Sequence, residues 1–162
     1  MKPETIKAMF SSKTDEWETP KELFDKLNKE FHFTLDVCAT AENAKCHRYY
    51  TKEQNGLRRC WKGRAFMNPP YGREIVTWVQ RAWLAVETME SECVVCLLPA
   101  RPDTQWFKDY CWKAREIRFL TGRIKFGDST QSAPFPSMIV IFKRPLAGVD
   151  GPKVSRLEIY TE

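Results

Sequence analysis

The stretch "RAFMNPPYGREIVTWVQRAWLAVETMESECVVCLLP" (residues 64–99) contains the most regular part of the chain. Residues 64–68 and 93–99 are short apolar runs, and each predicts a strand, the second fully buried. Residues 73–89 between them predict a helix, because apolar side chains recur there at helical spacing. These side chains are Ile75, Val79, Ala82, Trp83 and Val86. A strand, a helix and a strand in this order predict a parallel pair joined by a crossover helix.

The first strand and the helix are separated by Asn68-Pro69-Pro70-Tyr71. Two adjacent prolines donate no backbone hydrogen bond and hold the backbone out of both helix and sheet. The result is a rigid, extended corner with a carboxamide on one side and an aromatic ring on the other.

Strands and helices alternate through most of the remaining chain. Thr19 at the N-cap, Pro20 at the first helical position and Glu22 predict a helix with a capping box. Asp103 predicts the cap of another helix that ends near Ala114. Further strands are predicted at residues 33–39, 116–121 and 137–143, with an edge strand at 155–160. The alternation predicts an α/β fold with a mainly parallel sheet flanked by helices.

Ligands of such sheets bind beyond the carboxyl ends of the strands. Asp36, at the end of the strand 33–39, and the Asn-Pro-Pro-Tyr corner both fall at such ends. We therefore expect the functional site there.

Length and composition indicate one ordinary globular domain: the chain has 162 residues, of which 43% are hydrophobic and 29% charged. We expect a loose leader at 1–14, the main domain at 15–145 and an extension at 146–162. Neither a signal peptide nor a membrane span is expected from the sequence, which favours a cytoplasmic location.

The six cysteines include Cys93 and Cys96 at the CxxC spacing that can bind zinc. Valines lie between these two cysteines, leucines follow them, and a second pair at ligand spacing is missing. The pattern therefore favours reduced core cysteines, and no metal is expected.

The corner suits chemistry on a planar amino group. The Asn68 oxygen and the Pro69 carbonyl are fixed acceptors that can receive both hydrogens of such a group. Acceptors that favour a tetrahedral nitrogen localise its lone pair and stabilise the transition state more than the ground state. The Tyr71 ring can stack on the planar group that carries the amine.

"NPPY" resembles the catalytic motif of the S-adenosylmethionine-dependent amino-methyltransferases. The chain more specifically resembles the small phage-type DNA N-6-adenine methyltransferases, from about residue 15 to residue 143. The matching pieces are "DEWETP", "LDVCATAENAKC", "NGL…W", "FMNPPYG", "LLPARPDTQWF", "FLTGRIKFG" and "APFPSMIVIF". The resemblance implies an abbreviated Rossmann-like methyltransferase fold with a C-terminal antiparallel element, and S-adenosylmethionine as cofactor.

The resemblance also implies roles for individual residues. The corner Asn68, Pro69, Pro70 and Tyr71 would be catalytic, with Tyr71 stacked on a flipped-out adenine. Phe135 would form a second aromatic wall, with Phe126 as the alternative. The cofactor would be lined by Trp17, Thr19, Pro20, Asp36, Cys38 and Ala39. Because the usual glycine-rich turn is missing from "DVCATAEN", the acidic ligand of the cofactor ribose is open, and Glu53 and Asn55 are the nearest candidates.

The net charge of +5 is a mild bias toward a polyanion. Arg58, Arg59, Arg101 and Arg123 are expected near phosphates, and Lys125 shares the loop 121–136 with two phenylalanines. These features favour double-stranded DNA, with the target adenine flipped out of the duplex. An RNA base or a protein glutamine also presents a planar amino group and is the alternative substrate.

A non-catalytic DNA-binding domain is the alternative of another class, but it leaves the corner unexplained. We expect a monomer or weak dimer, in a bacterial cytoplasm if the gene belongs to a phage or prophage.

Overall fold

The computed structural model of the chain describes residues 17–127 and 130–160. The predicted leader, residues 1–14, lies outside the described residues. The helices are α1 (Lys21–Phe31), α2 (Ile75–Glu87) and α3 (Gln105–Asp109), and the strands are β1 (Leu35–Asp36), β2 (Gly63–Met67), β3 (Ser91–Pro99), β4 (Glu116–Leu120), β5 (Ser137–Lys143) and β6 (Lys153–Leu157). Short 3₁₀ turns lie at Gly56–Arg58 and Cys111–Lys113.

The six strands form one sheet in the order β1-β2-β3-β5-β4-β6. The pairs β1/β2, β2/β3 and β4/β6 are parallel, whereas β5 runs antiparallel to both β3 and β4. The predicted α/β fold, mainly parallel with a C-terminal antiparallel element, is therefore confirmed. β6 occupies the edge next to β4, slightly earlier in the chain than the edge strand expected at 155–160.

The core lies around the two central strands. Glu92 is the only exposed residue of β3, and Lys143 is the only exposed residue of β5. Such continuous burial is expected of a strand that is covered on both faces. It explains why "CVVCLLP" and "SMIVIF" contain no polar alternation.

Helix α2 packs one face on the sheet, with Ile75, Trp78, Val79, Ala82, Ala85 and Val86 buried. Trp83, which shares the helical spacing of these apolar residues, is less buried than the others. Trp83 is half-buried at the border of this face, against Tyr110 with ring centroids 5.8 Å apart, and the Lys113 ammonium lies 4.7 Å from its ring.

The predicted capping box at Thr19 is wrong. Helix α1 begins at Lys21, the N-cap is Pro20, and no side chain caps the helix. The Thr19 hydroxyl instead accepts a hydrogen bond from Asn68. The Thr19 hydroxyl thus contacts a residue that is distant in sequence and not the first turn of the helix.

Helix α3 is shorter than predicted. Thr104, not Asp103, is the N-cap of α3, and its Oγ1 accepts from the Phe107 backbone N–H at 3.3 Å. The helix ends at Asp109 and a 3₁₀ turn follows. Trp106 and Phe107 are buried as expected, and Tyr110 is half-buried.

Among residues 17–127 and 130–160, no helix has both the length and the apolar character needed to cross a bilayer.

Candidate active site

The carboxyl ends of β1 and β2 bring two of the predicted site residues to the same end of the sheet. Asp36 is the last residue of β1 and pairs in parallel register with Phe66 of β2. Asn68 follows the last residue of β2. The expectation that Asp36 and the corner lie at neighbouring strand ends is confirmed, because parallel strands present their carboxyl ends together.

The Asn68 carboxamide is held by its nitrogen, whereas its oxygen is left without a partner. Nδ2 donates to the backbone carbonyl of Trp17 and to the Thr19 hydroxyl, the latter at 2.9 Å. Oδ1 is buried and has no hydrogen-bond partner among the described residues. An unpaired buried acceptor costs free energy, and native proteins rarely keep one without a functional reason.

Tyr71 is only 6% exposed, and its hydroxyl donates to the Leu97 backbone carbonyl at 3.1 Å. Burial raises the pKa of this phenol well above its usual range, although the positive charge of Arg101 acts in the opposite direction. The phenol is therefore neutral at physiological pH, and Tyr71 presents an uncharged ring to its neighbours.

Four aromatic rings meet at the corner. The Tyr71 centroid lies 5.6 Å from that of Phe135 and 6.3 Å from that of Phe126. Trp17 packs on the same two phenylalanines, at 5.3 Å and 5.1 Å. The two candidates for a second aromatic wall are thus both in ring contact with Tyr71, and Trp17 completes the cluster.

Asp36 is 3% exposed and accepts two backbone hydrogen bonds. Oδ1 accepts from the Cys38 N–H at 3.4 Å and Oδ2 from the Lys45 N–H at 3.1 Å. Burial nevertheless dominates and raises the pKa of this carboxyl to about 6. The negative form is therefore poorly compensated, which makes the position receptive to a positively charged or hydrogen-bond-donating ligand.

Glu18 joins the elements around the site, and sequence reasoning missed it. Its Oε1 lies 3.7 Å from the Lys45 Nζ, and its backbone carbonyl accepts from the Gly127 N–H at 2.9 Å. The segment 17–19 thereby contacts the corner, the loop after β1 and the loop before β5. No local pattern could have found these contacts, because each partner is distant in sequence.

Comparison with known proteins gives a family. The family model of DNA N-6-adenine-methyltransferase (Dam) matches residues 7–157. The chain belongs to this family.

Two relatives accompany this match. A DNA N-6-adenine-methyltransferase of Escherichia phage T1 is 36% identical over 110 residues, which cover 65% of the chain and 44% of that protein. The YfdM protein of Escherichia coli (strain K12) is 45% identical over 65 residues, which cover 35% of the chain and 71% of that protein. The chain thus matches less than half the length of the phage T1 protein.

The remaining cofactor candidates of this Dam family member fall into two groups. Pro20, Cys38 and Ala39 are half-buried near the two strand ends, and the Ala39 N–H donates to the Tyr50 carbonyl at 2.9 Å. Glu53 and Asn55 are exposed on a separate turn. In the described part of the chain, no hydrogen bond or ion pair connects Glu53 or Asn55 with Asp36 or Asn68.

The basic candidates near the corner are Arg101, Arg123 and Lys125. Arg101 follows β3 and acts electrostatically on Tyr71. Arg123 and Lys125 are exposed and alternate with the buried Ile124 and Phe126, so the segment turns its charges outward.

Arg58 and Arg59 lie elsewhere, after the turn at Asn55. Both are exposed, and the Arg59 Nε donates to the Gln54 carbonyl at 2.8 Å. The backbone carbonyl of Arg59 accepts from Arg81 of helix α2 at 2.9 Å. Their expected phosphate contacts remain a prediction.

The two cysteines at CxxC spacing belong to the core. Cys93 and Cys96 lie in β3 and are buried, and burial raises the pKa of both thiols, to about 11 for Cys93. Within residues 17–127 and 130–160, no group of three or more His, Cys, Asp or Glu side chains is arranged to hold a metal ion.

Proposed function

We propose that this Dam family member transfers a methyl group from S-adenosylmethionine to the N6 amino group of adenine in double-stranded DNA. The observation that carries the proposal is the buried Oδ1 of Asn68 at the carboxyl end of β2, which has no hydrogen-bond partner in residues 17–127 and 130–160. An amino group that donates to this atom would satisfy it. The family and the name of the phage T1 relative support adenine as the bearer of that group.

In this mechanism Asn68 and Pro69 act on the nitrogen that receives the methyl group. The N6 lone pair of adenine is delocalised into the ring, so the nitrogen is a weak nucleophile. Two acceptors, Asn68 Oδ1 and the Pro69 carbonyl, hold its two hydrogens in positions that favour a tetrahedral nitrogen. They also stabilise the positive charge that develops on N6.

The residues near Asp36 fit S-adenosylmethionine. Asp36 is buried, and among the described residues no cationic side chain is in hydrogen-bond contact with its carboxyl, so a ligand that is cationic or rich in hydroxyl groups would relieve the cost of its ionisation. Trp17, Thr19, Pro20, Cys38 and Ala39 would complete this side of the site. Bound there, the cofactor would supply an electrophilic methyl group and leave as the thioether S-adenosylhomocysteine, while the methylated N6 would release one proton to solvent.

The aromatic cluster would receive the flipped adenine. Tyr71 is buried and makes edge-to-face ring contacts with Phe126 and Phe135, so we infer that one of these rings moves before a base stacks on it. Both phenylalanines belong to the loop between β4 and β5, and this loop also carries Arg123 and Lys125. We infer that contact of these cations with DNA phosphates accompanies the opening of the cluster.

Arg101 is placed to act at the same point. It follows the end of β3, and its charge reaches the Tyr71 phenol. A phosphate beside the flipped nucleotide would therefore lie within the field of Arg101. Arg58 and Arg59 would contact the duplex farther along.

The test is methyl transfer from radiolabelled S-adenosylmethionine to unmethylated bacterial DNA, followed by digestion to nucleosides and chromatography. Label in N6-methyladenine is expected. Label in RNA or protein only, offered in parallel, would redirect the proposal to another planar amino group. The absence of transfer together with the absence of cofactor-dependent thermal stabilisation would favour a non-catalytic DNA-binding domain.

A further inference from the structure

We infer that Thr19 is a positioning residue for Asn68: its hydroxyl holds the carboxamide in the orientation that presents Oδ1 to the substrate amine. The inference rests on the proposed function for its catalytic consequence, but the contact itself can be tested without it. Thr19 is 5% exposed, and its Oγ1 lies 2.9 Å from the Asn68 Nδ2.

The orientation of the carboxamide follows from the chemistry of its two partners. The Trp17 backbone carbonyl can only accept a hydrogen bond, so the Asn68 atom that faces it must be the nitrogen. The second hydrogen of the same nitrogen goes to Thr19. With both hydrogens held, the carboxamide cannot rotate, and Oδ1 must face away from the segment 17–19.

The neighbouring residues make Thr19 a stiff support. Pro20 restricts the residue before it to extended backbone, and the β-branch of threonine limits rotation about χ1. Glu18, on the other side, is tied to Lys45 and to the Gly127 N–H. The backbone on both sides of Thr19 is therefore restrained, which limits the positions open to its hydroxyl, as precise transition-state contacts require.

The catalytic test compares Thr19→Val with Thr19→Ser. Valine keeps the volume but lacks the hydroxyl, and we expect kcat for DNA methylation to fall about tenfold, as for the loss of one hydrogen bond, with little change in KM. Serine keeps the hydroxyl, so kcat of Thr19→Ser should fall less than kcat of Thr19→Val. A Thr19→Val variant with unchanged kcat, or with its loss confined to KM for S-adenosylmethionine, would overturn the inference.

A second pair of variants is compared if the Thr19→Val protein does not fold. Thr19→Ser and Thr19→Ala both lack the γ-methyl group and differ by one oxygen atom. A lower kcat for alanine alone supports the positioning role, and equal rates contradict it.

The activity-independent test follows the Asn68 side-chain NH₂ signals by ¹⁵N NMR, with Asn68→Ala used to assign them. Slow solvent exchange is expected in the wild-type protein and in Thr19→Ser. In Thr19→Val, exchange should be about tenfold faster for at least one hydrogen. Unchanged exchange in Thr19→Val would refute the contact whatever the substrate. The absence of adenine methylation by the wild-type protein would refute only the proposed function.

Discussion

Two polar clusters lie at opposite ends of the parallel strands β1, β2 and β3. At the amino ends of β2 and β3, the Arg81 guanidinium donates to both oxygens of Glu90, at 2.8 Å and 2.9 Å. Glu90 also accepts from the Trp61 N–H at 2.7 Å, and Arg81 lies 4.6 Å from the Trp61 ring centroid. Hydrogen bonds to Arg81 lower the pKa of Glu90.

At the carboxyl ends of β1 and β2, the pKa of the buried carboxyl shifts in the opposite direction. Asp36 has a raised pKa because burial outweighs its two backbone hydrogen bonds, and Asn68 Oδ1 has no partner among the described residues. In these two clusters, the charged groups at the amino ends of β2 and β3 are paired with each other, whereas Asp36 and Asn68 keep an under-compensated carboxyl and a free acceptor where a ligand is expected. Sites that break local rules in this way are typical of function.

The largest expected effect is that of Asn68→Ala. Removing the acceptor should lower methyl transfer about 10²- to 10³-fold, the usual cost of losing one preorganised transition-state contact. Binding of S-adenosylmethionine, measured by calorimetry, should change little. Gln80→Ala removes a carboxamide from the exposed face of α2 and is the matched control. Loss of cofactor binding together with transfer would mean that Asn68 is structural.

The pH dependence of stability should distinguish the two carboxyls. Folded Asp36 keeps its proton up to about pH 6, whereas the unfolded chain releases it near pH 4. Its contribution is therefore fully present below about pH 4 and is lost as the pH rises to about 6, by about 3 kcal/mol. Urea unfolding of wild type and Asp36→Asn across this range measures it.

Glu90 should behave in the opposite way. Its pKa is lowered in the folded state, so its contribution is present above the ordinary glutamate range and is lost as the pH falls through the folded pKa. Glu90→Gln is therefore the control for Asp36→Asn. Slopes of the same sign for both carboxyls would contradict the comparison.

At neutral pH, breaking the satisfied cluster should cost stability and leave catalysis intact. Glu90→Gln removes a charged partner of a half-buried arginine, and we expect a loss of about 2 kcal/mol in the free energy of unfolding. Glu92→Gln breaks an ion pair with Arg64 in which the Glu92 side chain is 67% exposed. Its loss should cost less than about 0.5 kcal/mol of the free energy of unfolding. Reduced kcat in Glu90→Gln, well below its melting temperature, would assign this cluster a role in catalysis.

Among variants of the candidate site, the smallest effect is expected for Tyr71→Phe. The variant removes the hydrogen bond from Tyr71 to the Leu97 carbonyl and should cost about 1 kcal/mol of stability, measured by urea unfolding. Transfer should be largely retained, because the ring that stacks on the base is unchanged. Tyr71→Ala should lose transfer. If phenylalanine is as damaging as alanine, the hydroxyl itself is required and stacking is not the main role.

The part of the site that could be predicted is the part built from neighbouring residues. The strand, corner and helix at 63–87 follow from hydrophobic period and proline chemistry, and parallel pairing then places Asp36 beside the corner. Thr19 does not cap the helix. Its hydroxyl instead accepts a hydrogen bond from Asn68, which lies nearly fifty residues away in the sequence. The Glu18–Lys45 pair and the Tyr71–Leu97 hydrogen bond lacked any local signal for the same reason.

The sequence by itself determined the α/β class, the rigid Asn-Pro-Pro-Tyr corner and the end of the sheet where it lies. These features depend on short-range periodicity and on the fixed φ of proline. Only the tertiary structure decided which Asn68 atom is satisfied, that Asp36 is buried enough for its pKa to rise, and that Phe126 and Phe135 contact both Tyr71 and Trp17. Hydrogen-bond partners, desolvation and ring contacts are set by residues that folding brings together from distant parts of the chain.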